Sequence, residues 1–573
     1  MKLERSKNAK RNLLWGTISN LIHMLLPFVV RTVIIYKLGA DYLGLSSLFT
    51  SILQVLNLSE LGFSSAVVYS MYKPIAEQDD EAVCALLSFY RRVYRIVGLV
   101  ILIVGLCLLP FLPYLISGSY PDDINLYAVY IIYLVNTSLS YFLFAYKSSL
   151  LNAYQRTDVI SNVKAITNTA MYAVQIALLF LFSNYYIYII VMPVFTLANN
   201  IINAIMVKKM FPQYTCKGKV KPEIMKEIKT NVPGLMLNKL CATSRNSFDS
   251  IFVSAFLGLT ATAIYNNYYY IFSAIVQIIA VISTSLLGGV GNSVATESKE
   301  KNYSDLKKFN FLYMWLGGWC TCCFLCLYQP FMKIWVGEDL MLSFSSVILF
   351  CLYFYVLKMG DLRALYVDAT GLWWKQKWRS ITEAALNLIL NFVLVQFWGI
   401  NGIIAATLIS LFLINFCWGS QFIFKFYFQN GKLKEYFLQH LEYAVVTLLT
   451  CVVTYFVCTF IPIEGVLGLI IKMLICVTVP NVIYLLCYRW TKQYGISMQW
   501  FLSILHLDKK LRFLLPKKKT AAETIQTPTI IAQPDEPIDT VSSAPADSEQ
   551  TDISDESAEI SKTEESEEPR FPK

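Results

Sequence analysis

Long apolar stretches dominate this chain and constrain its fold more than any other feature. About fourteen of them lie between Leu13 and Tyr488, and each is near the roughly 20 residues that a helix needs to cross a bilayer. With 56% hydrophobic residues, the chain has more apolar side chains than a soluble protein needs for its core. The sequence therefore predicts an all-α polytopic membrane protein with about 14 transmembrane helices. The predicted spans are approximately 13–36, 43–69, 93–116, 124–150, 162–182, 186–207, 232–257, 262–290, 309–328, 344–366, 381–397, 402–424, 443–461 and 466–488.

The first twelve spans follow one six-helix pattern that is used twice. Three polar or small residues in the first span recur with the same spacing in the seventh, and each set runs on to a Leu-Gly pair. Because six helices separate the copies, the two halves have the same orientation and are related by a pseudo-two-fold axis along the membrane normal. The paired positions are Gly16 with Gly234, Asn20 with Asn238, and Arg31 with Asp249, followed by Gly39 and Gly258.

This repeat and two changes in composition predict the domain organisation. Two six-helix bundles are joined by a basic linker, two further helices follow, and the chain ends in a Pro-, Ser- and acid-rich tail without apolar periodicity. The predicted segments are 1–11 (basic N-terminus), 12–210 (first bundle), 211–230 (linker), 231–428 (second bundle), 429–490 (two additional helices), 491–515 (amphipathic segment) and 516–573 (disordered acidic tail).

The distribution of Lys and Arg between loops predicts the topology. If the N-terminus is cytoplasmic, the inward loops hold about 28 of these residues and the outward loops about two, Lys37 and Lys333. Both termini are therefore expected in the cytoplasm. Topology explains such basic loops without any nucleic-acid partner.

The fourteen cysteines and three histidines give little indication of a metal or catalytic site. Cys320, Cys323 and Cys326 would share one face of the ninth span. No His, Asp or Glu lies near them in that span, and thiols pack well as small apolar side chains. We interpret them as packing residues and predict no metal site and no cofactor.

Charged residues inside the apolar spans are the main functional signal. A charge at the bilayer centre costs on the order of 3 kcal/mol, so such residues normally line a wet cavity, pair with each other or bind a ligand. Since basic residues outnumber acidic ones, a cavity between the halves would be cationic and suited to an anionic headgroup. We further expect Arg245 and Asp249 to face Arg31 across the two halves and to form a charged gate with it. Arg31 could pair with Asp249, and Lys358 with Asp361. The candidate residues are Arg31, Glu60, Lys147, Arg245, Asp249, Lys358, Asp361 and Arg363.

Three segments resemble a known family. They are residues 12–39, which close on Leu-Gly-Ala-Asp-Tyr-Leu-Gly, residues 147–156, and residues 368–410 with Asp-Ala-Thr-Gly-Leu, Glu383 and Asn387. Over about residues 12–488 the chain resembles the bacterial polysaccharide flippases, which export lipid-linked oligosaccharides and are related to the multidrug and toxin extrusion transporters. The acidic tail departs from that pattern.

The resemblance implies a flippase that moves an undecaprenyl-pyrophosphate-linked glycan across the bacterial cytoplasmic membrane by alternating access, and not an enzyme. The basic candidates would contact the pyrophosphate or sugar acids, and Glu60, Asp249 and Asp361 would pair with them or bind a coupling cation, Na⁺ or H⁺. Implied partners are the lipid-linked oligosaccharide, membrane lipids, and the polymerase and glycosyltransferases of the pathway.

Three alternatives remain open. A cation-coupled multidrug antiporter of the same superfamily would favour an acidic lumen, against which the basic surplus argues. A membrane glycan polymerase or ligase resembles proteins with a large outward catalytic loop, whereas the longest outward loop predicted here has about 15 residues. A peptidoglycan-precursor flippase is not separated by sequence from a capsule or exopolysaccharide flippase.

Overall fold

A computed structural model of the protein describes residues 22, 24–57, 63–429, 431–504 and 506–507. All regular elements of these residues are helices, so the predicted all-α architecture is confirmed. The helices are α1 (24–37), α2 (Ala40–Leu56), α3 (Phe63–Ala76), α4 (Asp80–Cys107), α5 (Leu126–Phe142), α6 (Ser148–Ala153), α7 (Thr157–Phe182), α8 (Tyr185–Met210), α9 (Pro222–Thr296), α10 (Lys299–Val336), α11 (Phe344–Thr370), α12 (Lys377–Trp398), α13 (Ile400–Ser410), α14 (Gly419–Ile423), α15 (Leu433–Thr459), α16 (Gly465–Tyr488) and α17 (Lys492–Ile504).

Among the described residues, nine helices are long and apolar enough to cross a membrane, or eleven if each of two bent pairs counts as one span. This number is below the predicted fourteen for two reasons. Helix α9 counts once although it contains two predicted spans, and the predicted first and second spans fall partly outside the described residues. The multi-pass character of the protein is confirmed, whereas the count of fourteen stays a prediction.

Helix α9 is a hairpin that reverses at Gly258. This glycine has φ 89° and ψ −178°, a conformation that side chains with a Cβ rarely adopt. On either side of the turn the two arms contact each other, because Tyr265 donates to Asp249 (3.3 Å) and Ser250 donates to Asn266 (3.1 Å). The turn thus separates the predicted seventh and eighth spans.

The turn between α1 and α2 has the same form. Gly39 has φ 117° and ψ 167°, close to the backbone angles of Gly258, and each glycine follows a leucine. The Leu-Gly pairs that mark the sequence repeat therefore make equivalent turns in the two halves. The shared backbone conformation of Gly39 and Gly258 therefore supports the internal repeat independently of the sequence spacing.

Replacing Gly258 with Ala is expected to destabilise the protein by at least about 1–2 kcal/mol, the cost of a positive φ for a residue with a Cβ. The new Cβ would also lie 2.8 Å from the Ser117 carbonyl oxygen. Gly288→Ala is the matched control, since this glycine is helical and its Cβ would meet open space. Thermal unfolding of the purified proteins measures the difference. Equal unfolding temperatures for Gly258→Ala and the wild type would contradict the proposed strain.

The two halves have separate hydrophobic cores. One cluster gathers buried residues of 30–211 together with Leu259 and Ala263, and the other gathers residues of 253–494. Helices α15, α16 and α17 pack against α10 and so extend the second half. Within the predicted amphipathic segment, α17 is anchored by buried Tyr494, Ser497 and Leu502. The predicted acidic tail lies outside the described residues.

Candidate functional site

A polar cavity of about 440 Å³ lies between the two halves. The first half contributes α1 and α2, and the second half contributes both arms of α9 together with α11. Two lining residues are arginines and none is acidic. The lining residues are Arg31, Ser46, Ser47, Thr50, Ser51, Gln54, Arg245, Ser250, Asn266, Tyr269, Phe272, Ser273, Val276, Gln277, Tyr353 and Leu357.

Arg31 reaches the cavity from α1 and is held by the opposite half. Its Nε donates to Asn267 Oδ1 (3.1 Å), and its guanidinium lies 5.4 Å from the ring centre of Tyr270. Its Nη2 has no hydrogen-bond partner among the described residues. The guanidinium therefore keeps a buried donor group that no described residue uses.

Arg245 lines the same cavity, and Glu383 of α12 holds it from behind. One oxygen of Glu383 accepts from Arg245 Nη1, and the other accepts from Arg379 Nη1 at 2.7 Å. Asn415 Nδ2 also donates to Glu383, at 3.1 Å. All three charged side chains are at least nine-tenths buried. Because two guanidinium groups share one carboxylate, these three side chains together carry one net positive charge.

Asp249 lies one helical turn from Arg245 but belongs to a different network. Its carboxylate is completely buried and accepts from Asn391 Nδ2 (2.7 Å), Thr407 Oγ1 (2.9 Å) and Tyr265 OH (3.3 Å). The expected pairing of Arg31 with Asp249 is therefore wrong in this structure. The reason is geometric, since α12, α13 and the second arm of α9 supply the partners of Asp249 while Arg31 contacts Asn267.

The other predicted residues lie away from the cavity lining. Lys358 donates to Asp361 Oδ2 (2.6 Å), so this predicted ion pair is present, and Tyr313 also donates to Asp361. Arg363 is buried and donates to both the main-chain and side-chain oxygens of Asn415, each at 3.1 Å. Lys147, in a short 3₁₀ turn before α6, lies 5.2 Å from the Phe144 ring centre.

The structure thus places Arg31 and Arg245 together on one cavity, and Asp249 beside it. Lys147, Lys358, Asp361 and Arg363 lie elsewhere, and Glu60 lies outside the described residues. Whether these side chains act in function stays a prediction.

Two groups of site residues were missed by the sequence reasoning. Glu383 is a carboxylate inside the predicted eleventh span, so the rule that selected the other intramembrane charges applies to it as well. The second group is a polar stripe on one face of α2, which repeats with helical spacing and could have been found from that period. The stripe consists of Ser46, Ser47, Thr50, Ser51 and Gln54.

The composition of the cavity defines what it can bind. Guanidinium groups form charge-assisted, often bidentate hydrogen bonds with phosphate or carboxylate oxygens. The hydroxyl and amide groups opposite them can donate to and accept from a polyhydroxylated ligand. Because a charged or polar lining inside a membrane protein marks a substrate path, this cavity between the two helical bundles is the candidate substrate site, as expected for a transporter.

Comparison with known proteins agrees with this class. A model of the family of polysaccharide biosynthesis proteins matches residues 9–287, just under half of the chain. No curated protein matches. Among solved structures, a lipid II flippase, MurJ, in an inward closed conformation has a TM-score of 0.61 and 14% identity, covering 86% of this chain and all of its own.

Two further structures share the fold. An inward-facing MATE family multidrug resistance transporter of the MOP superfamily has a TM-score of 0.56 and 15% identity, covering 72% of this chain and 96% of its own. A MOP superfamily transporter from Pyrococcus furiosus, described with a binding pocket of reverse polarity, has a TM-score of 0.51 and 14% identity over 75% of this chain and 96% of its own. The family match confirms the predicted resemblance to the polysaccharide biosynthesis proteins, and the solved structures show that the fold is the one found in MurJ and in MATE family transporters.

Proposed function

We propose that the protein moves an undecaprenyl-pyrophosphate-linked oligosaccharide from the inner to the outer leaflet of the bacterial cytoplasmic membrane, with both termini in the cytoplasm. The observation that carries this proposal is the cavity between the halves, which has two arginines and no acidic residue in its lining. Such a cavity suits a pyrophosphate, whose oxygens accept the paired donors of a guanidinium group. Arg31 Nη2 is buried and lacks a partner among the described residues, so a movement of the halves that exposed it would provide a donor for this contact.

The remaining lining suits the sugar that follows the pyrophosphate. The polar stripe of α2 faces Asn266, Ser273 and Gln277 of α9 across the cavity, so hydroxyl and amide groups surround the space. A volume of about 440 Å³ lies within the range of about 300–1,000 Å³ that is typical of small-molecule sites. It would hold the charged headgroup and the sugars next to it, while the polyprenyl chain stays in the lipid.

Alternating access would require the two halves to move about this cavity. The halves have separate hydrophobic cores, which suits movement as two bodies. Some of the contacts between the halves are polar, such as Arg31 with Asn267 and Tyr270 OH with the Met24 carbonyl oxygen (2.7 Å). Polar contacts of this kind can be exchanged for contacts with the substrate.

The buried network of Asp249 is proposed as the place where a coupling cation, Na⁺ or H⁺, acts. A fully buried carboxylate surrounded by amide and hydroxyl groups offers oxygen ligands to a hard cation and can also take up a proton. Asn391 Oδ1 has no hydrogen-bond partner among the described residues and is a further available oxygen. Because Asp249 and Arg245 lie one turn apart on α9, an ion at Asp249 would act on the cavity directly.

The nearest alternative is a multidrug antiporter, since the fold is shared with MATE family transporters. Cationic drugs would require an acidic lining, which the cavity lacks in its described residues. Family and fold point to a transporter rather than to a membrane glycan polymerase or ligase. The proposed partners are the lipid-linked substrate, membrane lipids, and the polymerase and glycosyltransferases that act before and after export.

Substitution of both cavity arginines tests the proposal. In a strain that lacks its own polysaccharide flippase, Arg31→Ala with Arg245→Ala is expected to reduce surface glycan at least about tenfold, because each lost charge-assisted hydrogen bond is worth roughly 1.5–3 kcal/mol. Lys at both positions should restore export only in part, since Lys lacks the bidentate fork. Arg92→Ala, at an exposed arginine of α4, is the control. Wild-type export by the double Ala variant at normal membrane abundance would exclude the cavity from the mechanism.

A second strain identifies the glycan class. Cells depleted of their peptidoglycan-precursor flippase would survive on this protein only if it also carries that precursor. We expect glycan rescue without such survival. Survival with no rescue of surface glycan would instead assign the protein to peptidoglycan synthesis.

A further inference from the structure

Five cysteines form a compact cluster in the second half of the protein. They are five of the six buried cysteines of the chain, and they come from three helices that pack on one another, α10, α15 and α16. Three of them converge most closely, because the Sγ atoms of Cys326, Cys458 and Cys476 all lie within 4.8 Å of one another. Each of these three helices contributes one sulfur.

This set differs from the cysteines that share a face in the sequence. Cys320 and Cys323, which lie on the helical face of Cys326, are only partly buried and are not members of the three-sulfur group. The partners of Cys326 come instead from positions more than a hundred residues away in the chain. The group therefore results from the packing of α15 and α16 onto α10.

We propose that Cys326, Cys458 and Cys476 bind a soft divalent cation of the Zn²⁺ class as thiolates, and that this ion fastens α15 and α16 to α10. A metal about 2.3 Å from each sulfur holds the sulfurs about 3.8 Å apart in a tetrahedral arrangement. The sulfurs are already close to this spacing, so binding requires only a small inward movement. Soft thiolate ligands select such ions over Mg²⁺ or Ca²⁺.

A lysine next to the group makes its charge acceptable inside a membrane protein. Lys472 is the single charged residue in the sequence of α16, and it lies one helical turn from Cys476. An ionisable residue within an apolar span is costly unless it has a partner, and the thiolates of the proposed site would be such a partner.

The charges balance when the ion binds. Three thiols lose three protons to water as three metal–sulfur bonds form, and three thiolates with one divalent cation carry a net charge of −1. The Lys472 ammonium supplies +1, so the group as a whole is neutral. No redox step is involved, and the thiols are free in the structure.

The site would have a structural role. Structural metal ions stabilise the folded state because their ligands are brought together only on folding. Lys333, near the outer end of α10, already contacts Glu464 just before α16 (3.1 Å), but this pair is exposed and contributes little. A buried metal would fix these two helices, and α15 with them, from within.

Metal binding by the purified full-length protein tests this proposal. The protein is prepared reduced and metal-free, without a histidine tag, and is titrated with Cd²⁺ or Zn²⁺ in the presence of a weak chelator that suppresses binding by surface carboxylates. We expect about one ion per chain, a thiolate-to-cadmium charge-transfer band, and a higher unfolding temperature with the metal. Absence of a thiolate band for the wild type would overturn the proposal.

Matched variants locate the site. Replacing Cys326, Cys458 and Cys476 with Ala should reduce affinity at least about tenfold and remove the metal-dependent rise in unfolding temperature. The control replaces Cys107, Cys351 and Cys487, which lie outside the three-sulfur group, and should bind like the wild type. Lys472→Met should weaken binding several-fold while keeping the band.

Single substitutions distinguish a loss of metal binding from a folding defect. If the triple variant does not fold, Cys458→Ser and Cys476→Ser are compared with Cys351→Ser at equal monodispersity. If the three single variants bind metal with the same affinity, the cysteine cluster serves only in packing.

Discussion

Replacing Glu383 with Ala is expected to destabilise the protein by roughly 3–5 kcal/mol, the usual cost of breaking a buried ion pair from one side. Glu383 accepts from both Arg245 and Arg379, and its removal leaves two guanidinium groups of one buried cluster without a carboxylate. A loss of this size is a large part of the stability of most proteins. Abundance in the membrane and thermal unfolding of the purified variant measure it.

Glu435→Ala is the matched control for Glu383. Like Glu383, Glu435 is paired with a basic side chain, in this case Lys307 of α10 at 2.9 Å. The Glu435 side chain is 41% exposed, so the loss of this pair should lower the free energy of unfolding by less than about 1 kcal/mol. Similar effects of the two substitutions would show that the buried cluster contributes no more than a surface pair.

A double variant separates the stability of the cluster from its function. Glu383→Gln with Arg245→Gln removes one charge of each sign, so the net charge of the cluster is unchanged and abundance should recover. Export should still be lost, because the cavity then has one arginine fewer. Recovery of export together with abundance would mean that Arg245 serves only as a partner of Glu383.

Asp249→Ala is expected to cause the second largest loss in the free energy of unfolding. Three donors would lose their acceptor, namely Asn391 Nδ2, Thr407 Oγ1 and Tyr265 OH, and each buried donor left unpaired costs about 1–3 kcal/mol. Asp249→Asn should lower the free energy of unfolding much less than Asp249→Ala. Asn391 can turn its Oδ1, which has no hydrogen-bond partner among the described residues, toward the new amide group. Unfolding temperatures of the two variants measure this difference.

Export distinguishes the proposed coupling role of Asp249 from a purely structural one. An Asn at this position can neither release a proton nor supply a negative charge to Na⁺, so export by Asp249→Asn should no longer respond to the ion gradient. Asp339→Asn, at an exposed aspartate, is the control. Unchanged ion dependence in a well-folded Asp249→Asn protein would exclude coupling at this residue.

The structure also changes the expectation for a charge exchange. If Arg31 and Asp249 faced each other, Arg31→Asp with Asp249→Arg would preserve an ion pair. In the structure an Arg at position 249 would meet three groups that now donate to the carboxylate, and none of these described partners of Asp249 carries a negative charge to pair with it. The exchanged protein is therefore expected to be as unstable as Asp249→Ala, and its abundance checks this.

Features that depend on local sequence were predicted well. The length and hydropathy of the spans require helices, because backbone groups in a bilayer must be satisfied within each segment. The repeated Leu-Gly pairs predicted equivalent positions in the two halves, and both glycines adopt the same rare turn, since only a residue without a Cβ does so at low cost. The pair Lys358 and Asp361 was also found, because residues three apart on a helix are neighbours by geometry.

Features that depend on which helices meet could not be read from the chain. Arg245 and Glu383 are separated by 138 residues, and Asp249 and Asn391 by 142, so no local spacing relates them. For the same reason the spacing of the cysteines within α10 gave no indication of Cys458 and Cys476, whose sulfurs lie beside that of Cys326.

By itself, then, the sequence determined the helical membrane fold, its doubling and the surplus of basic residues within it, since these follow from hydropathy, period and charge along the chain. The tertiary structure decided which of those charges share a cavity, which carboxylate neutralises which arginine, and which thiols converge. The physical reason is that contacts between helices are selected by side-chain packing and by the need to pair every buried polar group, and these conditions act across the whole molecule.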